Sequence, residues 1–145
     1  MPEFDLFSPF STAALFIVAI CAYKHDREEC YSMIDILKGP QKLSGIDRSF
    51  IRDRMMEKSG YIGEAYFIGA TPENNYTPSV PYTVSLIDGP YSYVEDGFTT
   101  LYIKTKGADS ARPVKLRKKG ENWYLWEFAA VLADIRKPHA EDPWK

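Results

Sequence analysis

The sequence predicts an α+β fold, with an N-terminal three-helix half packed on a C-terminal antiparallel sheet of four to five strands. Three observations carry this expectation. Apolar residues recur at helical spacing up to about residue 58, alternation of period two takes over after residue 82, and Asp-Gly or Lys-Gly pairs punctuate the later runs. With 145 residues, one domain spanning 1–145 is expected.

The run TAALFIVAICAY, from Thr12 to Tyr23, is apolar almost all round, which marks the central buried helix, and Ser11 is its expected N-cap with an end near Lys24. It is shorter than the ~20 residues that span a bilayer. The preceding MPEFDLFSPFS carries Glu3 and Asp5 and no Lys or Arg, the wrong charge for an export signal, so no membrane partner is expected. A second helix opens at Asp26, with Glu29 placed for a capping box, and puts Cys30, Met33, Ile34 and Leu37 on one stripe. Gly39-Pro40 ends it. The third starts at Ser44 with Asp47 in its first turn and runs to about Lys58, with Ile46, Phe50, Ile51 and Met55 facing inward. Its Arg48, Arg52, Asp53 and Arg54 read as a solvated face with local ion pairs rather than a phosphate site.

From Gly60 to Pro81 glycine, proline, asparagine and tyrosine dominate. Pro72, Pro78 and Pro81 push the residues before them toward extended conformations, so 71–81 is expected to be a long loop of the kind that often carries function. Strands are expected at Tyr82 to Ile87, Tyr91 to Glu95, Phe98 to Lys106, Pro113 to Lys118 and Asn122 to Phe128. Val114 and Leu116 oppose Lys115 and Arg117, which assigns one sheet face to the core. Asn122 to Phe128 is apolar on both faces and is expected to be interior or covered by a helix, and AAVLADI after it reads as a short helical cap.

Searching for chemistry excludes more than it finds. A net charge of −2, from 18 basic and 20 acidic residues, gives no global field toward nucleic acid, which is not an expected partner. Neither His25 nor His139 sits in a metal-ligand spacing, and there is no P-loop or G-x-G-x-x-G, so no metal and no cofactor is expected. Asp88, Glu95 and Asp96 read as turn residues rather than an acid and a base. Cys21 and Cys30 read as small buried hydrophobes, suiting a reducing compartment better than a disulfide. The densest charge is the basic run Arg112, Lys115, Arg117, Lys118 and Lys119, with Lys104 and Lys106 nearby; such lysines also keep an exposed sheet from pairing with other chains. Aromatic side chains concentrate after the helices and can line a groove beside the 71–81 loop or plug it.

The segments GATPENNYTPSVPY, GADSARPVKLRKKGENWYLWEF and DIRKPHAEDPW resemble an uncharacterised family of small bacterial proteins classed as a domain of unknown function. The resemblance covers nearly the whole chain and implies a bacterial, cytoplasmic protein. It carries no activity, so no residue here inherits a catalytic role.

The leading expectation is a non-catalytic binding or protein-interaction module that uses the 71–81 loop and the adjacent sheet, through Asn74, Asn75, Tyr76, Arg112, Lys115 and Arg117. It expects alanine at Asn74 and Tyr76 to abolish capture of an unknown protein or small-molecule ligand and to leave stability nearly unchanged. The alternative is a small-molecule-binding or enzymatic domain with a pocket between the helices and a curved sheet. A homo-oligomer joined through the aromatic last strand is a third reading.

Overall fold

The computed structural model describes residues 6–56, 58 and 60–144. Three helices, α1 (Pro9–Ala22), α2 (Arg27–Lys38) and α3 (Gly45–Met55), precede four strands, β1 (Leu86–Ile87), β2 (Phe98–Ile103), β3 (Arg112–Lys119) and β4 (Asn122–Glu127). The sheet is an antiparallel meander in the order β1-β2-β3-β4. The expected α+β arrangement of three helices and an antiparallel sheet is what the structure shows.

Helix α1 starts earlier than expected. Its N-cap is Ser8, whose hydroxyl accepts from the Phe10 amide at 3.2 Å, and Pro9 occupies the first turn, where its missing N–H costs nothing. Ala13, Phe16, Ile17, Ala19 and Ile20 are fully buried. Asp26 caps α2 by accepting from the Glu28 and Glu29 amides, and Gly39, at φ +65°, ends it. Ser44 and Asp47 close a reciprocal capping box on α3. Ile51 and Met55 face inward as expected, but Ile46 is 83% exposed: it lies on the first turn, five residues before Ile51 and so on a different side of the helix.

The sheet corrects two strand expectations. Tyr91 to Glu95 forms no strand: Gly89 and Ser92 close a turn on each other, and two backbone bonds, from the Thr100 amide to the Ser92 carbonyl and from the Phe98 amide to the Glu95 carbonyl, tie the segment to β2. Of Tyr82 to Ile87 only Leu86 and Ile87 join the ladder, because the chain before them pairs instead with 67–68, through a Phe67–Val84 bridge and the Ile68 amide on the Thr83 carbonyl. Strand β4 is an edge strand rather than an interior one, and α1 and α2 pack against it, so of the two expected alternatives the structure shows partial covering by helices. The main chain at Trp123 is nevertheless occupied, its amide donating to the Leu6 carbonyl at 2.7 Å and its carbonyl accepting from the buried Thr12 hydroxyl at 2.7 Å. Covering an edge in this way removes a template for pairing with other chains.

The inner sheet face, Thr99, Leu101, Ile103, Val114, Leu116 and Leu125, packs beneath α1. Phe16 and Phe128 meet with ring centroids 5.1 Å apart, and the 3-10 turn Ala129–Leu132 buries Val131 and Leu132 beside them. Truncating a fully buried aromatic loses both its transfer energy and the contacts of the cavity left behind. Phe16→Ala should therefore cost about 3–5 kcal/mol in urea unfolding. Thr12→Val should cost about 1–3 kcal/mol by stranding the Trp123 carbonyl.

Candidate functional site

The register that buries Val114 and Leu116 turns Lys115 and Arg117 to the opposite side of β3, facing Phe98 and Thr100 of β2 and Tyr124 of β4. Alternation about buried Leu125 puts Trp126 on the same outer face as Tyr124, and the register shift between Lys115 and Leu116 leaves it unpaired between Leu125 and Glu127. Phe98 and Trp126 meet edge-to-face at 5.8 Å. The Arg117 guanidinium lies 5.2 Å from the Phe98 ring and 4.7 Å from the Trp126 ring, and the Lys115 ammonium 4.8 Å from Phe98. Rings with cations above them form a platform suited to anionic or π-bearing partners.

Beside this platform a groove of about 310 Å³ is lined by Lys38, Pro40, Gln41, Arg117, Lys118, Lys119, Tyr124 and Trp126. Gly39 makes it possible: a Cβ there would lie 2.5 Å from Cδ1 of Tyr124, and φ is +65°, so only glycine lets the end of α2 reach the sheet. Lys38, in the last turn of α2, is only 9% exposed, and its ammonium sits 5.8 Å from the Phe128 ring. The helix dipole favours a cation there. Among the described residues Lys38, Arg117, Lys118 and Lys119 form no ion pair, whereas Lys115 is held by Glu95 at 2.9 Å.

The six residues singled out from sequence do not form one cluster. Lys115 and Arg117 share the outer face. Arg112 has the inner parity; its Nη2 donates to the Asp134 carbonyl at 3.2 Å and its Nε is buried without a partner. Asn74 organises its own loop: Oδ1 accepts from the Thr71 and Thr77 amides, and Nδ2 donates to the Gly69 and Thr77 carbonyls. Asn75 accepts from the Ala140 amide at 2.8 Å. Tyr76 is buried, stacked on Tyr61 at 5.6 Å, and donates its hydroxyl to the Arg136 carbonyl at 2.5 Å. Burial, followed by the neighbouring Tyr61, pushes its phenol up to about 12. Asn75 and Tyr76 both adopt positive φ, at 56° and 55°, strain that persists only where surrounding contacts enforce it. The 71–81 loop is thus anchored on the core through buried Pro72 and Tyr76 while most of its other residues are exposed, so alanine at Asn74 or Tyr76 is expected to lower stability. Lys38, Gln41 and Phe98 were missed; Lys38 reads in sequence only as a helix-end cation.

Both thiols are free. Burial, and for Cys21 also the Glu64 carboxylate, pushes each up to about 12, so neither is a thiolate nucleophile at neutral pH. No group of three or more His, Cys, Asp or Glu that could hold a metal ion occurs among the described residues. No helix among them is long and apolar enough to cross a membrane.

A meander sheet packed by helices on one face and bearing cations and aromatic rings on the other defines the class: an α+β domain. The chain belongs to the family described as Domain of unknown function (DUF6935), whose family model matches residues 1–139. A search of curated proteins gave no match, and neither did a search of solved structures.

Two outcomes separate scaffold from surface. Asn74→Ala should lower stability by about 1–3 kcal/mol and Tyr76→Phe by about 1 kcal/mol, read from denaturant midpoints. In the native protein at pH 8, a thiol-reactive dye should label Cys21 and Cys30 far more slowly than in the unfolded chain, because the folded thiols stay protonated while free ones have a pKa of about 8.5.

Proposed function

We propose that this chain is a single-domain, non-catalytic binding module that docks an acidic protein segment on the outer face of β2, β3 and β4. The observation that carries this reading is that one groove is lined by four cations without carboxylate partners among the described residues, Lys38, Arg117, Lys118 and Lys119, together with Tyr124 and Trp126; Arg117 lies over the Trp126 ring, whereas Lys118 lies over Trp123 and Lys38 beside Phe128. The largely buried stem of Lys38 holds its ammonium on the groove, where partly apolar surroundings screen its attraction for a ligand anion less than open water does. An extended acidic segment suits a platform and groove that lie side by side on one sheet face. A bacterial cytoplasmic setting belongs to the same reading; the two free thiols suit a reducing compartment.

The alternative of a pocket between helices and sheet has less support. That space is filled by Phe16, Ile17, Ile20, Leu101 and Leu116, all fully buried.

The test is a titration of the protein with a hexaglutamate peptide, followed by amide chemical shifts, with hexaglutamine as the neutral control. Saturable shifts should centre on Arg117, Lys118 and Trp126. Lys38→Met and Arg117→Ala should each weaken binding by about tenfold or more, and raising the salt should weaken it further. Equal binding of hexaglutamine, or affinities unchanged in both variants, would contradict the reading.

A further inference from the structure

A second cleft lies at the far end of the sheet and arises from the way β1 is built. Because residues 67–68 pair with 83–84 and the Lys104 amide makes a backbone bond to Ser85, the strip 66–69 and the connection 104–111 diverge on either side of the short strand. The wedge between them encloses about 490 Å³, within the ~300–1,000 Å³ usual for ligand clefts. Its walls are fixed. The Tyr66 hydroxyl donates to the Val131 carbonyl, and the Thr105 hydroxyl donates to the Ala65 carbonyl at 2.6 Å, tying the 104–111 connection to the 3-10 turn Glu64–Tyr66.

The lining combines two chemistries. Phe67, Ile68, Ile87 and Ala108 present apolar surface, and Ile68 and Ile87 remain 50% and 41% exposed, which is more than pairing within the chain requires. Lys104 and Lys106 stand on the same cleft, both exposed and neither ion-paired among the described residues. The acidic side chain in the lining, Asp109, is already engaged by Arg136. A guest that satisfies this arrangement has an apolar chain and one anionic end.

We propose that this cleft binds a medium-chain acyl carboxylate, with its hydrocarbon chain against Phe67, Ile68, Ile87 and Ala108 and its carboxylate between Lys104 and Lys106. The site is independent of the outer sheet face, since none of its residues lines the groove beside Lys38.

Octanoate is the probe, titrated into the full chain below its aggregation concentration and followed by calorimetry and amide shifts. The expected result is saturable one-to-one binding with shifts at Ile68, Ile87 and Ala108. Affinity should fall by about fourfold for each methylene removed toward hexanoate, the worth of one buried CH₂. Octan-1-ol should bind about tenfold more weakly or worse, and the double variant Lys104→Gln, Lys106→Gln, at two exposed positions that leave the core intact, should reproduce that loss. Ala108→Leu should compete with the chain for space, while Arg117→Ala should leave octanoate binding unchanged and so separates this site from the acidic-segment site. Absence of saturable binding, equal affinity for octan-1-ol, no dependence on chain length, or full affinity in the double glutamine variant would each overturn the proposal. Should Ala108→Leu fail to fold, the glutamine variant and the chain-length series decide the matter alone.

Discussion

Burial of α1 on the inner face of the sheet is the constraint from which the other features follow. This helix is apolar on nearly every side, so it can be stable only if the sheet, α2 and the 3-10 turn Glu64–Tyr66 all cover it. Phe16 against Phe128 supplies the apolar anchor, and the Thr12 hydroxyl on the Trp123 carbonyl sets how α1 sits along β4. The bond also occupies the edge of the last strand, so one contact serves both packing and protection from edge pairing.

Placing all the helices on one face leaves the other face of the sheet without a helical layer. Alternation along β3 then has a functional consequence: the residues that alternate with core-forming Val114 and Leu116 must point outward, and they are Lys115 and Arg117. Cation–π contacts with Phe98 and Trp126 keep Arg117 oriented rather than freely solvated. The close approach of Gly39 to Tyr124 brings the cationic end of α2 alongside, so helix termination and groove formation are one event.

Much of this architecture is legible in the sequence because its signals are local. Gly39-Pro40, the helix start at Ser44 with Asp47 in its first turn and the alternation of Val114 to Arg117 each act within a few residues, although the reciprocal capping box forms at Ser44 and Asp47 rather than at Asp26 and Glu29. The failures are where a distant segment decides. Tyr91 to Val94 has strong strand propensity, yet the Gly89–Ser92 turn claims it; Thr83 and Val84 pair with 67–68, which no local pattern announces. The candidate site was half legible for the same reason. Lys115 and Arg117 share a strand and are seen together, whereas Lys38 joins them only through the packing of α2 on β4. Asn74 and Tyr76 looked available because polar and aromatic loop residues commonly serve binding, but two consecutive positive-φ residues fold the loop back on Tyr61 and Arg136.

The central claim is that the cations beside Trp126 await an external anion rather than a partner within the chain. The most direct measurement is a crystal structure of the full chain grown with a glutamate-rich peptide. The account predicts a peptide carboxylate within about 4 Å of both the Lys38 ammonium and the Arg117 guanidinium, the ion-pair distance, over the Trp126 ring. A structure in which Lys38 is neutralised by a carboxylate of its own chain, with the peptide absent from this face, would contradict it.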